Sequence, residues 1–228
     1  MIEIRDARPA DAEEIARIYR PYVSDSAISF ELEPPSAGIM AERLDAAGSS
    51  YPWLVAAGPR GLLGYAYGGP HRSRPAYGFS VEVSVYLDES ARGQGLGRRL
   101  MAALLDDLAS RGFNTALAGT TLPNPASIAL FKSLGFDQVG VFSQVGFKFG
   151  AWHDVGWWQK SLRDGHQEPR ARPGVTRSPI EMAVGVGFEP TVGVNPQSLS
   201  RRSRYGRFGT PPGDLAAGRR PRDLNDRL

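Results

Sequence analysis

One stretch limits what this chain can fold into more than any other: "SVEVSVYLDESARGQGLGRRLMAALL", residues 80–105. Its first third is β-branched and nearly all apolar apart from Glu82, and it reads as a strand. Past the glycines, Leu96, Leu100, Ala103, Leu104 and Leu108 recur at helical spacing. Between the two lie Gly93, Gly95 and Gly97, flanked by Arg92, Arg98 and Arg99. A strand that feeds a helix through a short turn implies a layered α/β arrangement, since each element has an apolar side to bury. The turn also has a chemistry. Glycines let backbone N–H groups approach a guest closely. The helix that starts there aims its free N–H groups and positive dipole end at the same spot. The expected guest is a phosphate or pyrophosphate. A tight turn with no ligand is the alternative.

Two common phosphate turns do not fit. A P-loop ends in Gly-Lys-Ser/Thr, and this one ends in Gly-Arg-Arg. A dinucleotide turn needs G-x-G-x-x-G and an acidic residue at the end of the next strand. Here the third glycine comes one residue early, and "NTALAGTT" ends in threonines.

The remaining elements follow from periodicity and punctuation. "IEIRDA" alternates like a strand, and "DAEEIARIYRPYV" reads as a helix with Asp11 as cap and Glu14 closing a capping box. "PPSAGIMAERLDAAG" reads as a second helix from Ser36 to a stop at Gly48. "YPWLVAA" and "GLLGYAYGG" are strands joined around Gly58-Pro59, and "HRSRPAYGF" is a loop. "NPASIALFKSLGF" is a short helix ending at Gly135, and two Val-, Phe- and Trp-rich strands finish the body near Leu162. The order β-α-α-β-β, then β-α-β-α-β-β, predicts an α/β (α+β) sheet with helices on both faces.

Composition changes near Asp164. Residues 164–228 hold 8 of the 18 prolines, 11 of the 27 Lys+Arg and 7 of the 24 Asp+Glu. The body therefore has 16 basic and 17 acidic residues, and the basic pI comes from the tail. Residues 1–163 are expected to form one domain and 164–228 a disordered or loosely ordered tail. The piece "GVGFEPTVGVNPQSLSRRSRYGRFGTPP" resembles a reading frame run on into a transfer-RNA gene. A near-neutral body gives no electrostatic case for nucleic acid. No stretch has the roughly 18 apolar residues of a membrane span. "MIEIRDARPADAEEIARI" is charged too early for a signal peptide. With no cysteine, a cytoplasmic home is expected, without disulfides or thiolate chemistry. His71, His153 and His166 are far apart, and no metal site is expected.

Read with its flanks, the glycine turn takes on a family likeness. Arg92-Gly93-Gln94-Gly95-Leu96-Gly97 matches the R/Q-x-x-G-x-G/A turn of the GNAT acetyltransferases. Together with "TTLPNPASIALFKSLGF", "VGFKFGAWHDVGWWQKSL", "IEIRDARPADAEEIARIY" and "GYAYGGPHRSRPAY", it resembles the phosphinothricin and methionine-sulfoximine N-acetyltransferase branch of that family. The likeness covers about residues 1–162. It implies a GNAT fold, with a mixed, mostly antiparallel sheet of six to seven strands. It implies acetyl-CoA as donor, a small amino-acid-like amine as acceptor, no metal, and a homodimer to which "FKFGAWHDVGWW" offers aromatic surface.

It also implies roles. The backbone of Val85, Tyr86 and Leu87 would hold the pantetheine and thioester region, and an N–H there would polarise the thioester carbonyl. Arg92, Gly93, Gln94, Gly95, Leu96, Gly97 and Arg98 would hold the pyrophosphate. Asn124 and Ser133 would also touch the coenzyme. Glu82 would act as the general base that takes a proton from the acceptor ammonium, since burial beside the acyl site would make it a stronger base. His71, Arg72 and Ser73 of the loop, with Glu82, Val83 and Ser84 of the strand, would form the acceptor side. Arg72 would clamp a carboxylate. One position departs from the family pattern: members often carry a histidine where this chain has Phe131, in "IALFKSLGF". That departure favours a rival reading, a non-catalytic acyl-CoA sensor; Glu82 and the intact turn favour the enzyme.

Overall fold

The computed structural model describes residues 1–163. The tail expected over 164–228 lies outside them. The described residues hold seven strands in one sheet: β1 (Glu3–Asp6), β2 (Trp53–Gly58), β3 (Gly61–Pro70), β4 (Ser80–Leu87), β5 (Thr115–Thr121), β6 (Asp137–Lys148) and β7 (Ala151–Ser161). Their spatial order is β1-β2-β3-β4-β5-β7-β6. Every pairing is antiparallel except β4 with β5. The helices are α1 (Ala12–Ser24), α2 (Ala37–Ala47), α3 (Leu96–Ser110) and α4 (Pro125–Ser133). The order of elements expected from periodicity is the order observed.

The two faces of the sheet carry separate cores. Leu100, Met101, Leu104 and Leu108 of α3 pack with Phe131 of α4 on Val81, Val83, Ala116, Ala118 and Trp158. On the other face Ile15, Ile18 and Tyr19 of α1 and Met40 of α2 pack on Val55 and Tyr65. Strand alternation along β4 thus assigns its side chains. Val81 and Val83 enter the α3 core, while Glu82, Ser84 and Tyr86 face the α1 side.

Caps behave as expected in part. Ser36 accepts from Ile39 N at 3.3 Å, and Gly48 ends α2 with φ +51°. Asp11, expected to cap α1, makes no such bond. Its carboxylate instead holds Arg5 (2.7 and 2.8 Å) and Arg8 N (2.7 Å). Glu14 closes no capping box; it accepts from Leu62 N at 2.6 Å and joins α1 to β3. A salt-bridge partner and a strand N–H outcompete the local helix bonds.

Candidate active site

The parallel pair is the point where the sheet opens. β4 meets β5 only through Ser80, Val81 and Glu82, opposite Thr115, Ala116 and Leu117. Beyond Glu82, β4 stays on β3 as far as Leu87, and β5 stays on β7 as far as Thr121. The two strands part, and one edge of β4 loses its partner. Asp88 N donates to Leu63 O, which fixes the phase of the β3–β4 ladder. Residues 82, 84 and 86 therefore bond to β3, the Glu82–Leu117 pairing uses the N–H of Val83, and the C=O of Val83 with the N–H and C=O of Val85 and Leu87 point into the gap. Backbone groups left so need partners. Leu87 has one: the Tyr22 hydroxyl donates to its carbonyl (2.7 Å) and accepts from its N–H (3.1 Å).

The glycine turn closes the gap at its wide end. Gly93 and Gly95 both have φ +73°, and a Cβ at either would meet nothing within 4 Å. Glycine is needed there for the left-handed backbone, not for space. Gly97 has ordinary dihedrals, and a Cβ on it would lie 3.4 Å from Leu87 Cδ1. The first helical bond of α3 runs from Arg99 N to Gly95 O (3.2 Å). The N–H groups of Leu96, Gly97 and Arg98 thus have no acceptor within the helix. Arg92 lies with its guanidinium 5.0 Å from the Tyr22 ring centroid. Asp88 enters the turn bound to Ser90 and Arg17, and these partners lower its carboxyl to about 2.

A cavity of about 540 Å³ follows this edge, from Val85 and Leu87 past Arg92, Gly95 and Arg98 to Asn124 and Ser133. Asn124 is the cap of α4, its Oδ1 accepting from Ser127 N (3.0 Å). The Ser133 hydroxyl donates to Leu130 O.

On the α1 face, the Glu82 carboxylate meets His71 Nδ1 at 2.8 Å. The Glu82 side chain keeps 40% of its surface exposed, so the burial expected of it is not found. A second cavity, of about 420 Å³, is lined by Ile28, Phe30, Arg72, Tyr86, Thr121 and Trp157 among others.

The segment between α1 and α2 forms its wall and is pinned from the far end of the sheet. The buried Lys148 ammonium donates to the carbonyls of Val23 (2.6 Å), Ser26 (3.0 Å) and Ser29 (2.8 Å). Burial lowers its pKa. The ring of Phe30 lies where a Cβ on Gly146 would stand. Tyr19, buried beneath, donates to Glu31 (3.0 Å), which also holds Arg43; burial first of all pushes its hydroxyl up to about 12.

The chain as a whole resembles known proteins. Residues 4–157 match the acetyltransferase (GNAT) domain model. The chain belongs to the GNAT acetyltransferase family. It is 36% identical over 161 residues to the phosphinothricin N-acetyltransferase of Streptomyces viridochromogenes, covering 71% of this chain and 88% of that one. It is 37% identical to the L-methionine sulfoximine/L-methionine sulfone acetyltransferase of Pseudomonas paraeruginosa, covering 70% and 94%. Among solved structures it resembles a phosphinothricin acetyltransferase from Sinorhizobium meliloti in complex with acetyl-CoA. There the TM-score is 0.72 and the identity 38%, over 77% of this chain and 96% of that one. A Salmonella typhimurium acetyltransferase with acetyl-CoA as its cofactor gives a TM-score of 0.70 at 34% identity, over 73% and 96%.

The GNAT chain is an N-acetyltransferase with acetyl-CoA as its donor. The fold gives that donor a fitting place: a helix N-terminus with three free N–H groups for a pyrophosphate, and an open strand edge for an amide-bearing arm. Not every expected contact lies there. Tyr86 turns its backbone to Tyr65 and its ring to the α1 face. The Leu96 side chain is core and leaves only backbone, and Gln94 Nε2 donates to Ser90 O (2.7 Å). On the acceptor side, Val83 is 3% exposed in the α3 core and presents only backbone. Ser84 hydrogen-bonds Tyr67. Ser73 stands exposed in its loop. Tyr22, Ile28, Ser127 and Lys148 were not singled out in the sequence, because a lone tyrosine or lysine carries no motif. Phe131 packs against Phe136 and Trp158 at 5% exposure, away from both cavities. Its lack of a proton-carrying group is therefore no argument for the sensor reading. Among the described residues there is no metal-ligand cluster and no helix long and apolar enough to cross a membrane.

Proposed function

We propose that this acetyltransferase acetylates the primary amine of a small amino-acid-like acceptor of the phosphinothricin, methionine-sulfoximine or methionine-sulfone type. One observation supports this above the others. The donor cavity contains Val85, the second cavity contains Tyr86, and Ile28 lines both. Donor and acceptor would thus meet across a single strand. Arg92, Gly93, Gly95, Gly97 and Arg98 hold the pyrophosphate end, with the N–H groups that open α3. Val83 and Val85 offer backbone to the arm. The coenzyme supplies a thioester already activated toward amines. The chain's tasks are to hold it, to orient the acceptor and to take a proton. The general base is centred on Glu82, and Arg72 is the cation placed for a carboxylate.

A homodimer is part of the same reading. Val141, Phe147 and Trp152, on one face of the β6–β7 hairpin, stand 43–60% exposed, apolar side chains that suggest a covered surface. The test is thiol release from acetyl-CoA across a panel of amines. Turnover with methionine sulfone or phosphinothricin is expected. Release with none of the amino-acid-like amines would overturn the acceptor assignment.

A further inference from the structure

We infer that the base is a pair, in which His71 receives the acceptor's proton and Glu82 holds and charges it. This rests on the reading of the acceptor as an amine bound on the Glu82 side of β4. The pair is built by the sheet. Gly69 lies opposite Glu82 in the β3–β4 ladder, and His71 follows two residues later, just past the end of β3. Strand alternation carries it to the same face. A Cβ on Gly69 would meet nothing within 4 Å, so the space beside the carboxylate is open.

The imidazole is the more enclosed partner: its side chain is 14% exposed against 40% for Glu82. Tyr77 and Trp157 set its plane by edge contacts, with centroids at 5.7 and 6.4 Å. Nδ1 meets Glu82 Oε1 at 2.8 Å. That bond selects the tautomer with the proton on Nδ1 and leaves the lone pair on Nε2, as a carboxylate does for any catalytic imidazole. Gly69 and Pro70, just before His71 in the chain, line one hollow, and Arg72, just after it, lines the acceptor cavity with Trp157, which the His71 ring touches. The ring therefore stands at the acceptor's door, while Phe131 is buried on the opposite face.

The proton account closes. The ammonium gives one proton to His71 Nε2, forming an imidazolium beside the Glu82 carboxylate. The freed lone pair forms the C–N bond as the C–S bond breaks. The nitrogen's surplus proton goes through water to the departing thiolate. His71 returns its proton to solvent.

Three variants of the full chain separate the roles. His71→Asn keeps a donor toward Glu82 but accepts no proton. Its kcat for methionine sulfone should fall about 100-fold, with KM for the amine and acetyl-CoA binding changed less than about twofold. His71→Gly should regain turnover on adding imidazole. Glu82→Gln should lose at least as much as His71→Asn.

A His71→Asn enzyme with full kcat, beside an inactive Glu82→Gln, would overturn the pair and leave Glu82 as sole base. A change in KM alone would also overturn it. One readout needs no acceptor: ¹⁵N shifts of His71 should show a protonated Nδ1 and a bare Nε2, a preference lost in Glu82→Gln. The opposite tautomer would sink the pair even if no amine were turned over, whereas an inactive panel with the expected tautomer would count against the acceptor assignment alone.

Discussion

The two sides of β4 are built on different plans. The pyrophosphate end of the donor side is contiguous: its glycines, its arginines and the start of α3 fall within seven residues, 92–98, and the turn carries its own chemistry, with Val85, Asn124 and Ser133 completing the cavity. The acceptor side is assembled from segments far apart in the chain. The loop after β3 brings His71 and Arg72, the segment after α1 brings Ile28 and Phe30, and β7 brings Trp157. Lys148, more than a hundred residues from the carbonyls it holds, ties that wall down. A site made by one turn tolerates change elsewhere. A site made by convergence depends on its struts.

Four substitutions would break or sharpen this contrast. The largest effect belongs to the acceptor side: Glu82→Gln should lower kcat by about 100-fold or more, read by thiol release. Next, Lys148→Met strips two buried carbonyls and one half-buried carbonyl of their donor and should destabilise the fold by about 3 kcal/mol in urea melts. It should also raise the amine KM more than the acetyl-CoA KM. On the donor side, Gly95→Ala forces a side chain into φ +73°, a strain of roughly 1–2 kcal/mol. That corresponds to about tenfold weaker acetyl-CoA binding, with the amine KM unchanged.

The smallest effect is acid stability. The Asp88 carboxyl is lowered from 3.8 to about 2 by Ser90 and Arg17. It binds fewer protons folded than unfolded, so its contribution is full above pH 3.8 and fades as the pH falls through about 2. Asp88→Asn should flatten that part of a stability-against-pH curve and leave neutral-pH turnover within about twofold, a surface-sized effect.

The same contrast explains what could be read from the chain. The order of strands and helices was legible because periodicity and glycine stops are local signals, as at Gly48, Gly135 and the α3 leucines. The glycine turn was legible for the same reason. Local caps misled where a distant group competed: Asp11 went to Arg5, and Glu14 to the backbone of Leu62. Strand phase decided other cases. Tyr86 was expected to offer backbone to the coenzyme, but the register gives that backbone to β3. Val83 was expected on the acceptor side, but alternation buries it against α3. Glu82 stood out as the one charge in an apolar strand. His71 was expected on the acceptor side, but its pairing with Glu82 was not, because pairing across a register is invisible until the strands are aligned.

The central claim is that β4 separates two tasks, with the donor on its open edge and the proton acceptor on its α1 face. Titration of acetyl-CoA into the Glu82→Gln protein tests it most directly. Acetyl-CoA should bind with the wild-type Kd, within about twofold, to a protein whose turnover is lost. Loss of binding together with turnover would contradict the account, since Glu82 would then belong to the donor site as well.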